Sequence, residues 1–112
     1  MTMLFARSRS LTPAEALAAL QRGELQLVDV REAAELSRGA VTGATHIPVG
    51  ELHGRLASLD RDRPVAFLCQ SGARSARATR AATKAGFDAA NVAGGVAAWQ
   101  RAGLPLMAPP SR

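Results

Sequence analysis

Short apolar runs that alternate with helix-forming segments constrain the fold of this chain more than any other feature. Four such runs, at residues 25–30, 45–47, 65–68 and 90–92, favour β-strands. The segments between them carry helix signals, such as the capping box and first-turn proline of Thr12-Pro13-Ala14-Glu15. Because strands that alternate with helices are typical of a parallel sheet covered on both faces, we expect an α/β fold.

The helix-forming segments differ in length and in the side chains they present. We expect helices at residues 12–22, 32–38, 51–59, 75–85 and from about 94 to 103. In the helix at 75–85, four alanines share one face: Ala78, Ala81, Ala82 and Ala85. Three basic residues share another face: Arg77, Arg80 and Lys84. The simplest interpretation is a solvated face, and electrostatic steering of an anion toward the nearby loop is the alternative. Trp99, on the last helix, is expected in the core.

The length and the cysteine content place the chain in a broad class. We expect one domain over residues 1–112, with a core at about 10–106 and flexible termini. No apolar run reaches the roughly 18 residues that span a bilayer, and Met1 to Ser10 lacks a signal-peptide core, so we expect a cytoplasmic protein without membrane contact. A single cysteine and two histidines predict a free thiol and no metal or other cofactor.

The charge balance narrows the class of ligand. The chain has a net charge of +5, carried almost wholly by arginine, while aromatic residues make up only 4%. Nucleic-acid binding is therefore disfavoured, since little is available to stack on bases. A small anionic substrate or an acidic protein partner accounts for the charge equally well.

The stretch Cys69-Gln70-Ser71-Gly72-Ala73-Arg74-Ser75 carries the chemistry. It connects an apolar strand to a helix, where backbone N–H groups and the helix dipole favour an anion and hence a thiolate. Gly72 allows the loop to curl, Arg74 adds a positive charge, and Ser71 and Ser75 can donate hydroxyls. We therefore interpret the stretch as a reactive cysteine in an anion-binding loop.

Other polar residues near strand ends have weaker claims on function. Asp29 and Arg31 lie at the end of the first predicted strand and just past it, and by themselves favour a solvated turn or a structural ion pair. His46 could act as a base toward Cys69, although a hydrogen-bonded structural histidine is the simpler interpretation. Since Asp29, His46 and Cys69 all lie at or just past strand ends, a site is expected at that edge of the sheet.

Four motifs, in order and with matching spacing, make the chain resemble a single-domain rhodanese-like sulfurtransferase over about residues 10–106. They are Val28-Asp29-Val30-Arg31-Glu32, Gly43-Ala44-Thr45-His46-Ile47-Pro48, the stretch from Cys69 to Ser75, and Gly94-Gly95-Val96-Ala97-Ala98-Trp99.

The resemblance implies a rhodanese-like fold with a central parallel five-stranded sheet and a ping-pong reaction without a cofactor. Cys69 would take sulfur from a donor such as thiosulfate as a persulfide, and cyanide, a thiol or a partner protein would accept it. Residues Gln70 to Ser75 would bind the substrate, with Arg74 stabilising the loop or the donor's anionic end. Asp29 and Arg31 would brace the site. Many members that use thiosulfate carry a basic residue at the position of Gln70, so the efficiency with thiosulfate stays open.

Two alternative functions belong to other classes of protein. A sulfur carrier or docking module would keep the same loop but would load once and wait for its partner. The related phosphatases hold five residues between cysteine and arginine to wrap a phosphate, whereas four separate Cys69 from Arg74. The shorter loop disfavours phosphoryl transfer.

Overall fold

The computed structural model describes residues 10–108, and within them five strands form one parallel sheet. The strands are β1 (Ser10–Leu11), β2 (Gln26–Asp29), β3 (Thr45–His46), β4 (Val65–Leu68) and β5 (Ala89–Val92). Their order across the sheet is β1-β5-β4-β2-β3, and all neighbours run parallel. The expected α/β fold with a parallel five-stranded sheet is confirmed.

Four of the helices connect successive strands, and the fifth follows β5. They are α1 (Pro13–Gln21), α2 (Ala33–Leu36), α3 (Leu52–Arg55), α4 (Ala73–Lys84) and α5 (Gly95–Arg101). α1 begins as its capping box predicts, because Glu15 N–H donates to Thr12 Oγ1 and Thr12 N–H donates to the Glu15 carboxylate. The single helix predicted at 51–59 is instead α3 between two 3₁₀ turns, Val49–Glu51 and Leu56–Ser58.

Helices cover both faces of the sheet, as expected. Alternate residues of β4 point to opposite sides: Phe67 packs in a cluster with Ala78 and Ala82 of α4, and Leu68 in another with Trp99 of α5. Trp99 is fully buried, and its indole N–H donates to Pro105 O at 3.0 Å. The expected core position of Trp99 is confirmed.

The buried face of α4 differs from the alanine face seen in the sequence. Ala81 and Ala85 are exposed, and the buried side chains are those of Ser75, Ala78, Thr79 and Ala82. Two hydroxyls can be buried because each finds a hydrogen-bond acceptor; Thr79 Oγ1, for example, donates to Ser75 O at 2.8 Å. The alanines of the sequence predicted a buried face made of alanine alone. The face of α4 that packs on the sheet instead includes Ser75 and Thr79.

β1 has no counterpart among the strands predicted from apolar runs. It is two residues long and gains its place by pairing with β5, with Ser10 beside Asn91 and Leu11 beside Val92. The expected flexible termini, apart from Met107 and Ala108, lie outside the described residues. No helix within residues 10–108 is long and apolar enough to cross a membrane.

Candidate active site

The carboxyl ends of the three strands on one side of the sheet meet at the cysteine loop. Cys69 directly follows β4, whose last residue, Leu68, is in register with Asp29 at the end of β2. Asp29 is in turn in register with His46 at the end of β3. The sequence prediction that these polar residues share one edge of the sheet is therefore correct.

The Cys69 sulfur is buried and faces hydrogen-bond donors. Cys69 is only 1% exposed, and its Sγ accepts from Gly72 N–H at 3.0 Å and from the Ser75 hydroxyl at 3.3 Å. Burial by itself raises the pKa of the Cys69 thiol. The hydrogen bonds from the Ser75 hydroxyl and from the backbone N–H groups of Ser75, Gly72 and Ser71 outweigh it, so the pKa lies below its ordinary value. The loop thus favours a thiolate.

The first turn of α5 fixes which way the loop amides point. Val96 N–H donates to Cys69 O at 2.8 Å, and Ala97 N–H donates to Gln70 O at 3.0 Å. In a trans peptide the C=O and N–H groups point in opposite directions. Because these two carbonyls point at α5, the N–H groups of Gln70 and Ser71 point away from it, and Ser71 N–H acts on the Cys69 sulfur.

Glycine at position 95 is what permits this contact. A Cβ there would lie 2.4 Å from Cys69 O and 2.7 Å from the carbonyl carbon of Gln70, and the residue has a φ of +61°. Gly72 has a φ of +112° at the start of α4, as the predicted curl of the loop requires. Both glycines therefore shape the backbone around the sulfur.

Arg74 is engaged by an acidic side chain. Its two terminal nitrogens each donate to one carboxylate oxygen of Glu35, both at 2.7 Å, and the two side chains are about a quarter to a third exposed. The Arg74 hydrogen bonds lower the pKa of Glu35 to about 2, against the effect of burial, and the pairing raises the pKa of Arg74. The ion pair connects α2 to the first turn of α4.

Asp29 and Arg31 form a buried ion pair. Arg31 Nη2 donates to Asp29 Oδ2 at 2.8 Å, and both side chains are 2% exposed. The guanidinium also donates to Gly39 O at 2.9 Å and to Glu35 O at 3.3 Å. Arg31 thus holds the backbone of the segment that presents Glu35 to Arg74, and Asp29 and Arg31 form the structural ion pair that was one of the two expectations for them.

The two histidines and the side chains at the rim of the loop lie in different environments. His46 Nε2 lies 2.7 Å from Arg31 O, and His53 is exposed. The hydrogen-bonded structural position expected of His46 is therefore found. Ser71 and Ala73 are exposed and Gln70 is half-buried, so these side chains form the rim of the loop. Residues 10–108 contain no cluster of three metal-ligating side chains.

The family model of the rhodanese-like domain matches residues 12–102 of this chain. The chain belongs to the rhodanese-like family. The resemblance seen in the sequence motifs is confirmed, and the loop around Cys69 lies within the matched residues.

Relatives by sequence carry sulfur-transfer names. The candidate sulfurtransferase YtwF of Bacillus subtilis is 39% identical over 77 residues, covering 69% of this chain and 75% of YtwF. A sulfurtransferase of Allochromatium vinosum is 37% identical over 87 residues, covering 77% and 81%. The candidate sulfur carrier protein YrkF of Bacillus subtilis is 37% identical over 76 residues, which cover 67% of this chain and 41% of YrkF. The rhodanese-like relatives thus include both sulfurtransferases and a sulfur carrier.

A solved structure agrees with the fold. The rhodanese-related protein of Thermoplasma volcanium superposes with a TM-score of 0.84 at 31% identity, covering 90% of this chain and 99% of that one.

Three residues of the rhodanese-like site escaped the sequence interpretation. Glu35 pairs with an arginine 39 positions away, a separation that no local pattern reveals. Asn91 contacts Ser75 from β5, and only its polarity within an otherwise apolar run signalled it. Gly95 was noted as part of a motif, but its contact with the loop carbonyls required the fold.

Proposed function

We propose that this rhodanese-like protein is a sulfurtransferase that moves sulfane sulfur from a small anionic donor, such as thiosulfate, to cyanide or a thiol. Cys69 carries the sulfur between the two half-reactions as a persulfide. The family membership and the sulfurtransferase relatives support the general activity. The donor, the acceptor and the persulfide step are our proposal.

The observation that carries the proposal is the set of donors around Cys69 Sγ. Gly72 N–H and the Ser75 hydroxyl contact the sulfur, and Ser71 N–H contributes to lowering its pKa. A thiolate is the nucleophilic form of cysteine and needs neither a metal nor a separate base. The same donors would stabilise the negative charge of a terminal persulfide sulfur.

In the first half-reaction, the thiolate attacks the outer sulfur of thiosulfate. A new S–S bond forms on Cys69 while the S–S bond of thiosulfate breaks, and sulfite leaves with the bonding electron pair. In the second half-reaction, cyanide or a thiolate attacks the outer sulfur of the persulfide. The Cys69 thiolate departs from that sulfur and is regenerated, so no external oxidant or reductant is needed.

We assign the remaining residues to binding and support. Residues 70–75 line the loop and would bind the donor, mainly through backbone N–H groups. Arg74 would stabilise the loop and attract the donor's anionic end, although Glu35 already balances its charge. Asp29 and Arg31 would brace the site through the buried ion pair and the Glu35 segment.

A non-turnover sulfur carrier is the second candidate, favoured by the similarity to the candidate carrier YrkF. In that case Cys69 loads in the same way, but its acceptor is a thiol on one partner protein. Both candidates fit a cytoplasmic location, which we propose because the mechanism needs Cys69 as a free thiol and a reducing compartment keeps it so.

The test of the persulfide is intact-mass spectrometry of the reduced protein after incubation with thiosulfate. We expect the wild type to gain the mass of one sulfur atom, and dithiothreitol to remove it. Cys69→Ala is the control and should gain nothing. No gain by the wild type, or an equal gain by Cys69→Ala, would contradict the proposal.

A turnover assay separates the two candidates. An enzyme gives many equivalents of thiocyanate from thiosulfate and cyanide, whereas a carrier takes up one sulfur atom per Cys69 and releases little or no thiocyanate without its partner. The same preparation should not hydrolyse a chromogenic phosphate ester. Hydrolysis that disappears in Cys69→Ser would replace sulfur transfer by phosphatase chemistry.

A further inference from the structure

The hydroxyl of Ser75 faces more acceptors than it has hydrogens. Ser75 is fully buried, and its Oγ lies 3.3 Å from Cys69 Sγ, 3.2 Å from Gly72 O and in close contact with the Asn91 side-chain oxygen. A serine hydroxyl donates one hydrogen bond at a time. Which of the three acceptors receives it decides whether the sulfur keeps this donor.

The carboxamide of Asn91 is the group that can change the outcome. With its oxygen toward Ser75, it competes with the sulfur for the hydroxyl hydrogen. With its NH₂ group toward Ser75, it donates to Oγ instead, and the hydroxyl hydrogen is left for Cys69 Sγ or Gly72 O. Rotation of the amide about its last torsion interchanges the two arrangements, since that torsion is roughly two-fold.

Asn91 is a polar residue in a strand whose other residues are apolar. Its strand neighbours Ala90 and Val92 pack in the cluster on the α1–α5 side, and Ala89 in the cluster on the α4 side. By alternation Asn91 faces α4, where its amide is half-buried beside Ser75. A hollow of about 230 Å³ beside it, lined by Ala76, Thr79 and Arg80 as well, gives the amide room to turn.

We propose that Asn91 is a positioning residue that donates a hydrogen bond to Ser75 Oγ and so directs the Ser75 hydroxyl to Cys69 Sγ when the sulfur is anionic. An anionic sulfur favours this arrangement, because a hydrogen bond to a charged acceptor is stronger than one to an amide oxygen. The inference deepens the proposed sulfur transfer, whose reacting atom is the same sulfur.

The test is the pH dependence of Cys69 alkylation by iodoacetamide, followed by intact mass. Asn91→Asp substitutes a side chain of the same shape that only accepts, so it draws the hydroxyl away from the sulfur. We expect alkylation at a pH below the midpoint to slow by about tenfold, the worth of one hydrogen bond to a charged group. Asn91→Leu adds no charge. It should also slow alkylation, but by a smaller factor than Asn91→Asp.

Combining the variants with Ser75→Ala separates positioning from simple charge repulsion. If Asn91 acts through the hydroxyl, Asn91→Asp should have little further effect in the Ser75→Ala background. An undiminished effect there, or unchanged midpoints in both Asn91 variants, would overturn the proposal. Thr79→Val is the matched control, because the hydroxyl it removes donates to the Ser75 backbone carbonyl and not to the Ser75 side chain.

The alkylation assay needs no sulfur donor, so it distinguishes this inference from the proposed function. Failure to load sulfur from thiosulfate, with the Asn91 effect intact, would count against the reaction and not against the positioning of Ser75. Normal loading without any Asn91 effect would do the reverse.

Discussion

Arg74 and Glu35 form a two-pronged ion pair at the rim of the cysteine loop, with both N···O distances at 2.7 Å. The pair joins α2 to α4, and it balances the positive charge of Arg74 in the protein itself. The proposed anionic donor would therefore meet a loop whose attraction comes chiefly from backbone N–H groups and the start of α4. The two hydrogen bonds to Glu35 hold the Arg74 guanidinium in one place beside the loop.

Replacing Arg74 should affect sulfur loading more than replacing an arginine further along the same helix. We expect Arg74→Ala to slow thiosulfate loading by about tenfold, because it releases both Glu35 and the first turn of α4. The measurement is the rate of mass gain. Arg80→Ala, the matched control, removes an exposed charge and should stay close to the wild type. Equal losses that vanish at high salt would indicate general electrostatic steering instead.

The stability of the protein should depend on pH through Glu35. Its pKa in the folded protein is about 2, below the ordinary value of 4.5, so the ion pair stabilises the fold above pH 4.5. This contribution, about 1 kcal/mol for a partly exposed pair, should be lost as the pH falls from 4.5 toward 2.

Urea denaturation of the wild type and of Glu35→Gln, compared at several pH values, measures this effect. The wild type should be more stable at pH 6, and the difference should disappear near pH 2. A difference that does not change with pH would show that packing, and not charge, accounts for the effect of the substitution.

Gly95 should tolerate no side chain, whereas another glycine with a similar φ should. Gly95→Ala brings a Cβ to 2.4 Å from Cys69 O, and we expect a loss of more than about 3 kcal/mol in the free energy of unfolding. Gly103→Ala is the control, because its φ is +74° but nothing lies within 4 Å of the added carbon. That variant should lose only about 1 kcal/mol. Equal losses would mean that backbone strain alone matters at both positions.

Breaking the buried ion pair should cost far more than breaking an exposed one. Asp29→Ala leaves the Arg31 guanidinium buried without its partner, and we expect a loss of roughly 3 to 5 kcal/mol. Glu24→Ala breaks the pair with Arg22, whose side chains are exposed to solvent, and should change the free energy of unfolding far less. Thermal or urea unfolding measures both. A small effect of Asp29→Ala would mean that water reaches Arg31.

Features encoded in neighbouring residues could be predicted from the sequence, and those that depend on distant contacts could not. The capping box at Thr12, the strand Val65–Leu68 and the cysteine loop are all local patterns, and the structure contains each of them. β1 escaped because two residues carry no periodicity and the strand exists only through its pairing with β5.

Within the candidate site, too, local features could be predicted and contacts between distant residues could not. The role of a loop amide could be anticipated, but the direction in which it points depends on hydrogen bonds from α5, more than 20 positions later. Likewise, the arginine of the loop was visible in the sequence, whereas its partner Glu35 becomes a neighbour only when α2 packs beside α4.

The burial of Cys69 has a consequence for the choice of acceptor. With the residue only 1% exposed, a sulfur atom bound to it would be screened from molecules that diffuse past the surface. Under the proposed sulfur transfer, a slender nucleophile such as cyanide, or a thiol at the end of an extended chain, would reach that sulfur more readily than a bulky branched thiol. The burial of Cys69 would thus act as a steric filter. It would protect the bound sulfur from unselective reductants and allow its transfer to acceptors of the right shape.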